Sequence, residues 1–364
     1  MPVMAGIVSY GSYVPYRRLK RSAIAAVLGT PAGKGERAIA SFDEDSVSMA
    51  VEAARDALKA APPGDIQALI FATTTPPYAE KLSAAVVGAA TQLPAEIRAS
   101  DMTGSVRAGI SAILQAADAV SGGAKRALVA IGDCRLAAPE GKAEQTSGDG
   151  AVAFVLGNDN LIAEIEASAS LTREFLDTWR AQGERFAHSW EERFTLTQAH
   201  SPLLGTVIKN VLQKAKVAPS DLSKVILDAP NARAADEIAR ALKIDPTKFS
   251  DSFALTVGQT GAAHAGLMLT AALAAAKPGA RLGVVAVHKQ PVPVDFLNIM
   301  SNEITIVGSM GYPDEIFEVT KDLIANWEKY AVIVSHTIPF DDVVEALRTA
   351  STPGAADKVV VTFN

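Results

Sequence analysis

The chain has 364 residues, 49% hydrophobic and 20% charged, with a formal net charge of −6. That length holds two or three units of roughly 100–200 residues each and ample apolar material for a core. The acidic balance excludes a broad nucleic-acid or anionic-membrane surface, which needs basic residues in excess. The one cysteine, Cys134, allows neither an intrachain disulfide nor a multi-cysteine zinc site, and points to a reducing, cytoplasmic setting.

The N-terminal segment has no long apolar run after a basic stretch, so no signal peptide is expected. No uninterrupted apolar run reaches the ~20 residues of a membrane span. AGIVSYGSYVP reads as a strand and turn. Asp45 to Ala60 has apolar residues at helical spacing and is closed by PPGDI. ALIFATTT reads as a buried strand, followed by a helix from Leu82 to Leu93 and the strand EIRASDM. A helix of small residues runs from Ala108 to Ser121, with Gly122-Gly123 as its stop. RALVAIGD, AVAFVLG and LIAEIEAS are three further strands.

After a polar, aromatic stretch from Arg173 to Phe194, the order repeats in weaker form. A helix from Leu204 to Lys216 precedes the strand KVILDA and the helix ARAADEIARAL. The strand-like SFALTV, a helix from Gly261 to Ala276 and the strand RLGVVAV follow. Strands alternating with helices predict an α/β fold with a sheet covered on both faces. The repeated order predicts an internal duplication, with halves 1–165 and 166–290. A tail, 291–364, begins at the Pro-rich joint near Pro291 and Pro293. It predicts the strand EITIVGSMGY, the helix PDEIFEVTKDLIANWEKY, the segment VIVSHTIPFDD, the helix DDVVEALRTA and the strand KVVVTF.

The most informative segment is DMTGSVRAGISAIL, Asp101 to Leu114. A strand ends, the chain turns through Gly104, and a helix of small residues begins. Such a turn places its side chains and backbone N–H groups at a helix N-terminus, where the dipole favours an oxyanion. DMTGSVRAG resembles the nucleophile elbow of ketoacyl-ACP synthase III and hydroxymethylglutaryl-CoA synthase, members of the thiolase superfamily. Four more segments resemble the same family, in the same order. They are TTTPPYA (Thr73–Ala79), EQTSGDGAVAFVLG (Glu144–Gly157), VILDAPNARAADEIARAL (Val225–Leu242) and VGQTGAAHAGLMLTAAL (Val257–Leu273). The resemblance implies thiolase-like duplicated βα layers (α-β-α-β-α), a homodimer, and a substrate carrying coenzyme A or an acyl-carrier protein. It implies no tightly bound cofactor.

The site residues depart from the family. Its nucleophilic Cys falls on Val106, or on Ser105 if the turn is one residue longer. Its His falls on Asp228, its Asn on Gln259, and the general-base Glu of the hydroxymethylglutaryl synthases near Thr74. Valine forms no acyl-enzyme, and a serine needs a nearby base. A thiol-free reaction at a thioester, such as aldol or retro-aldol cleavage, needs a base and enolate-stabilising donors. Asp228 is the candidate base, and the backbone N–H groups near Ser105–Arg107 are the candidate donors. The SVRAG and DAPN variants resemble thiolase-like proteins that lack the Cys and occur beside a zinc-ribbon/OB-fold partner. The rival reading is a non-catalytic thioester-binding or scaffold subunit.

His264 is a further site candidate, or a buried packing residue; Arg107 and Asn231 are candidate contacts for coenzyme A, and Arg107 alternatively pairs with a carboxylate. Cys134 reads as a buried small hydrophobe, and Asp149 as a turn residue. Trp179 to Phe194 reads as a substrate cover, a dimer contact or a solvated amphipathic helix. His188, His200, His288 and His336 show no metal-ligand spacing, so no metal is expected.

From Gly283 onward the tail resembles the C-terminal end of medium-chain zinc alcohol dehydrogenases, through GVVAVHKQPVPVDFLN, EITIVGSMGYPDEIFEVTKDLIANWEKY and HTIPFDDVVEALRTASTPGAADKVVVTF. No G-x-G-x-x-G follows a strand, so nucleotide binding is a remote expectation. EITIVGS is expected to replace the final strand of the thiolase-like sheet.

Overall fold

The computed structural model describes residues 5–229, 232–275, 281–284, 305–308, 335–351 and 359–362. The chain divides into two compact units, Met1–Lys277 and Pro278–Asn364. The first opens with β1 (Gly6–Tyr13), then an antiparallel ladder of β2 (Arg18–Lys20) and β3 (Glu36–Ala38) around α1 (Arg21–Leu28). Helix α2 (Ser46–Leu58) starts where the sequence signals it. The Asp45 carboxylate accepts from Val47 N and Ser48 N at 2.9 and 2.7 Å, and Ser48 Oγ accepts from Asp45 N at 2.8 Å. Such a reciprocal cap is worth about 1 kcal/mol.

The chain then alternates β4 (Ile66–Ala72), α3 (Ser83–Ala90), β5 (Arg98–Met102), α4 (Ala108–Ser121), β6 (Arg126–Cys134), the short α5 (Lys142–Thr146), β7 (Asp149–Gly157) and β8 (Ala163–Glu164). Six of these strands form one mixed sheet in the order β5-β4-β6-β7-β1-β8. β4 pairs in parallel with both β5 and β6; the β6–β7, β7–β1 and β1–β8 pairs are antiparallel. Asp149, expected in a turn, is the first residue of β7, opposite Cys134.

Beyond the sheet, a small hairpin joins β9 (Thr178–Trp179) to β10 (His188–Ser189). Helix α6 (Glu192–Thr195) runs through a π-type turn, Leu196–His200, into α7 (Ser201–Ala215). Then come α8 (Ala232–Leu242), a 3₁₀ turn at Gly261–Ala263 and α9 (His264–Ala275). Side chains alternate across β6 as a pleated strand requires. Leu128 and Ala130 pack with Met49, Ala50 and Ala53 of α2. Val129 and Ile131 pack with Ala112, Ile113 and Ala116 of α4 and Leu267 of α9. The small residues let the helices lie close to a sheet that is buried on both faces.

In the second half, two of the expected strands differ among the described residues. KVILDA and SFALTV do not join ladders: Val225 makes a single bridge to Phe249, and residues 254–257 form a turn whose Leu255 and Val257 carbonyls accept from Glu36 N and Ala38 N. A strand needs a ladder partner for its backbone groups, and the strand-forming RLGV, as β11 (Arg281–Val284), pairs in parallel with β12 (Thr305–Gly308). β12 lies within EITIVGS, and its ladder partner is the RLGV strand β11. Helices α7 and α8 instead share a small apolar cluster of Ile238, Leu242, Ile244, Leu204, Ile208 and Phe249. Trp179 to Phe194 is a hairpin followed by the start of α6 rather than a continuous helix.

In the second unit, β13 (His336–Pro339) pairs in parallel with β14 (Val359–Thr362), and a 3₁₀ turn leads into α10 (Val343–Ser351). The helix expected over Pro313–Tyr330 lies outside the described residues. Among the described residues no helix is long and apolar enough to cross a membrane.

Candidate active site

Strands β4, β5 and β6 run in parallel, so their C-terminal ends lie at one edge of the sheet, where open α/β sheets place their ligands. The TTT loop follows β4, the elbow follows β5, and Asp133 and Cys134 close β6. The elbow turns through Gly104 at φ 91° and enters α4 at Ala108. Ser105, Val106 and Arg107 are exposed, Val106 at 44%. Gly109 sits so close to the 3₁₀ turn that a Cβ there would lie 2.1 Å from the Ala262 carbonyl oxygen. The first turn of α4 therefore rests on the Gly261–Ala263 turn, as only a glycine permits.

That contact brings the second-half motifs to the elbow. Gln259 Oε1 accepts from Gly261 N at 2.6 Å, so its amide NH₂ faces outward and donates to Asp228 Oδ1 at 3.0 Å. The Gln259 backbone is itself fixed: its N–H donates to the Thr146 carbonyl at 2.8 Å and its carbonyl accepts from Gly148 N at 2.9 Å. EQTSGDG, DAPN and GQTGAAH are thus tied together at one point. Asp228 is partly buried, and loss of hydration raises its pKa above the usual carboxylate range; the charges of His264 and Arg135 and the Gln259 bond oppose that rise.

His264 is 4% exposed. Its Nδ1 accepts from Thr260 N at 3.3 Å and lies 3.4 Å from Thr260 Oγ1. Burial lowers its pKa against the pull of Asp228. Ser105 lacks a base among the described residues; its Oγ only accepts from Arg107 N at 3.3 Å. Among the described residues Arg107 meets no carboxylate: its guanidinium donates to the Leu171 carbonyl at 3.1 Å and to Thr172 Oγ1 at 3.5 Å. Asn231 lies outside the described residues. The Cys134 thiol is pushed up to about 12, first by burial and then by Asp149, and is no nucleophile at neutral pH. Among the described residues no group of three or more His, Cys, Asp or Glu side chains is placed to hold a metal.

One residue escaped the sequence reading. Asp133 is fully buried, and its two oxygens accept from Thr73 Oγ1, Thr74 N, Thr74 Oγ1, Thr75 Oγ1 and Ala262 N at 2.6–2.9 Å. An acidic residue ending an otherwise apolar strand was the available signal. Arg180 donates to the Thr74 carbonyl at 3.4 Å, and in the neighbouring segment Phe175 stacks on Phe194 while Trp190 sits tilted against Phe194 and Trp179.

Sequence comparison places the chain in the thiolase superfamily, and the fold agrees. Residues 212–289 match the family described as 3-oxoacyl-[acyl-carrier-protein] synthase III C terminal. The hydroxymethylglutaryl-CoA synthase of Methanopyrus kandleri is 34% identical over 292 residues, covering 77% of this chain and 83% of that protein. The enzyme of the same name from Pyrococcus furiosus is 32% identical, covering 76% and 81%. The chain belongs to the hydroxymethylglutaryl-CoA synthase family. In fold it is similar to 3-oxoacyl-(acyl carrier protein) synthase III from Pseudomonas aeruginosa, with a TM-score of 0.68 and 23% identity over 76% of this chain and 91% of that one. It is also similar to a hydroxymethylglutaryl-CoA synthase crystallised with CoA, with a TM-score of 0.67 and 18% identity over 75% of each chain.

Proposed function

We propose that this protein forms or cleaves the carbon–carbon bond beside an acyl-CoA or acyl-carrier-protein thioester without passing the acyl group through a thiol. One observation carries the reading. Val106 occupies the exposed turn where the family's Cys falls, while an ionisable carboxylate, Asp228, is held by Gln259 where its His falls.

In the cleavage direction, Asp228 removes the proton of a β-hydroxyl group. The C–O bond becomes a carbonyl, the adjacent C–C bond breaks, and its electron pair passes into the thioester as an enolate. Backbone N–H groups at the Ser105–Arg107 turn and the N-terminal end of α4 stabilise the enolate oxygen. The proton returns to the enolate carbon, so no oxidant or second reactant is needed. Condensation is the reverse. A carboxyl whose pKa is raised by burial is a stronger base than an ordinary carboxylate, which suits this shuttle. His264 acts as a positioning residue beside Asp228. Coenzyme A enters as part of the substrate. A homodimer and a zinc-ribbon/OB-fold partner are carried as proposals from the family resemblance, and NAD(P)H binding by the tail as a remote one.

The test is turnover of β-hydroxyacyl-CoA thioesters by the full chain and by Asp228→Ala. Turnover that the variant loses, with its fold intact, is the expected result. Acyl-CoA binding without turnover would instead identify a non-catalytic subunit.

A further inference from the structure

Burying a carboxylate is costly unless hydrogen bonds replace its hydration. Asp133 has no ion-pair partner within reach among the described residues, yet it is fully buried and accepts five hydrogen bonds. Four come from Thr73, Thr74 and Thr75 on the loop after β4. The fifth, from Ala262 N at 2.7 Å, comes from the turn that enters α9. These segments are more than 180 residues apart in sequence, and the same carboxylate holds both.

The two segments carry different parts of the site. The Thr loop bears Thr74, which receives Arg180 from the aromatic hairpin. The Gly261–Ala263 turn supports the start of α4, and its Gly261 N sets the Gln259 amide that meets Asp228. The packing leaves no slack: a Cβ on Gly261 would lie 2.0 Å from Asp133 Oδ2. Charge-assisted bonds are shorter and stronger than neutral ones, so this carboxylate is a stiff joint.

We infer that Asp133 is the positioning residue of the active site, fixing the Thr73–Thr75 loop to the Gly261–Ala263 turn and thereby setting Asp228 against the elbow. The inference rests on the function proposed above only for its catalytic readout. In Asp133→Asn the side chain keeps its shape, but one acceptor becomes an NH₂ that faces N–H and O–H donors. The joint opens on one side.

The full-length chain, Asp133→Asn and the milder Thr74→Val are compared by amide hydrogen exchange and by turnover of a β-hydroxyacyl-CoA. Ile66→Val, in the core at the opposite end of β4, serves as the stability control, compared at equal margins below each protein's Tm. Asp133→Asn is expected to speed exchange at both residues 73–75 and 260–263 at least tenfold. Turnover is expected to fall about 100-fold at matched margin, with KM changed less than threefold; Thr74→Val lies between, and Ile66→Val keeps wild-type turnover. Faster exchange in only one segment, or wild-type kcat in Asp133→Asn, would overturn the inference. If the wild type itself shows no turnover, the proposed function fails, and the exchange data still decide whether Asp133 joins the two segments. If Asp133→Asn does not fold, the same two-segment exchange pattern is required of Thr74→Val, and its absence overturns the inference.

Discussion

Burial of Asp228 resists the charged form of its carboxyl. Its pKa is raised first by burial, so the native state binds the proton more tightly than the unfolded chain. The linked stability is therefore full below the unfolded value of about 3.9 and is lost as pH rises through the higher native pKa. Asp228→Asn keeps the acceptor for Gln259 and removes the titration. Its stability relative to wild type is predicted to increase as pH rises from about 4 to 7, measured by urea unfolding at each pH, while turnover falls about 10²–10⁴-fold. A pH-independent difference would contradict the raised pKa. Val106 poses the complementary test. Val106→Cys alone places a thiol on the exposed turn without an imidazole to activate it. The double variant Val106→Cys/Asp228→His restores both family positions. Intact mass after incubation with acetyl-CoA is predicted to show an acetyl adduct on the double variant and far less on the single one. Equal labelling of the two would mean that residue 228 does not address the elbow.

At the scale of elements, the molecule is unevenly built. The sheet between α2 and α4 buries near-continuous apolar runs, with all of β7 buried, whereas α7 buries no residue fully. The α7–α8 pair depends on the small cluster around Ile238, Leu242 and Ile244. Segments with few buried contacts open at lower free energy than the core. Ile238→Ala, at a cost of about 2–5 kcal/mol to that cluster, is predicted to raise hydrogen exchange across α7 and α8 while leaving β6 and β7 protected. Loss of protection in the sheet as well would show a single cooperative unit. This unevenness also explains what the sequence revealed. Helix α4 and its bounds, the start of α2 at Asp45 and the strands of the six-stranded sheet follow from local pattern and turn chemistry, whereas the short β2 and β3 carry no such signal. The second-half strands do not: KVILDA has the composition of a strand, but pairing requires a neighbour that local sequence cannot supply. The Trp179–Phe194 stretch was ambiguous because its polar and aromatic residues fit a helix face or a hairpin equally.

At the scale of the whole molecule, five motifs separated by up to 200 residues meet at one end of one sheet. Their order identified the family, and their departures at Val106, Asp228 and Gln259 were visible in the sequence. The contacts of Asp133 and Arg107 were not, because their partners are distant in sequence: the Thr loop and Ala262, and the Leu171 carbonyl. In the proposed function these contacts make a site with a carboxylate and backbone donors and, among the described residues, no activated nucleophile. The most direct test is intact-mass analysis of the full chain incubated with a β-hydroxyacyl-CoA, run alongside product detection. We predict cleavage products, no acyl adduct, and loss of products in Asp228→Ala. An acyl adduct on Ser105 or Cys134 would contradict the thiol-free reading and restore a covalent acyl-enzyme.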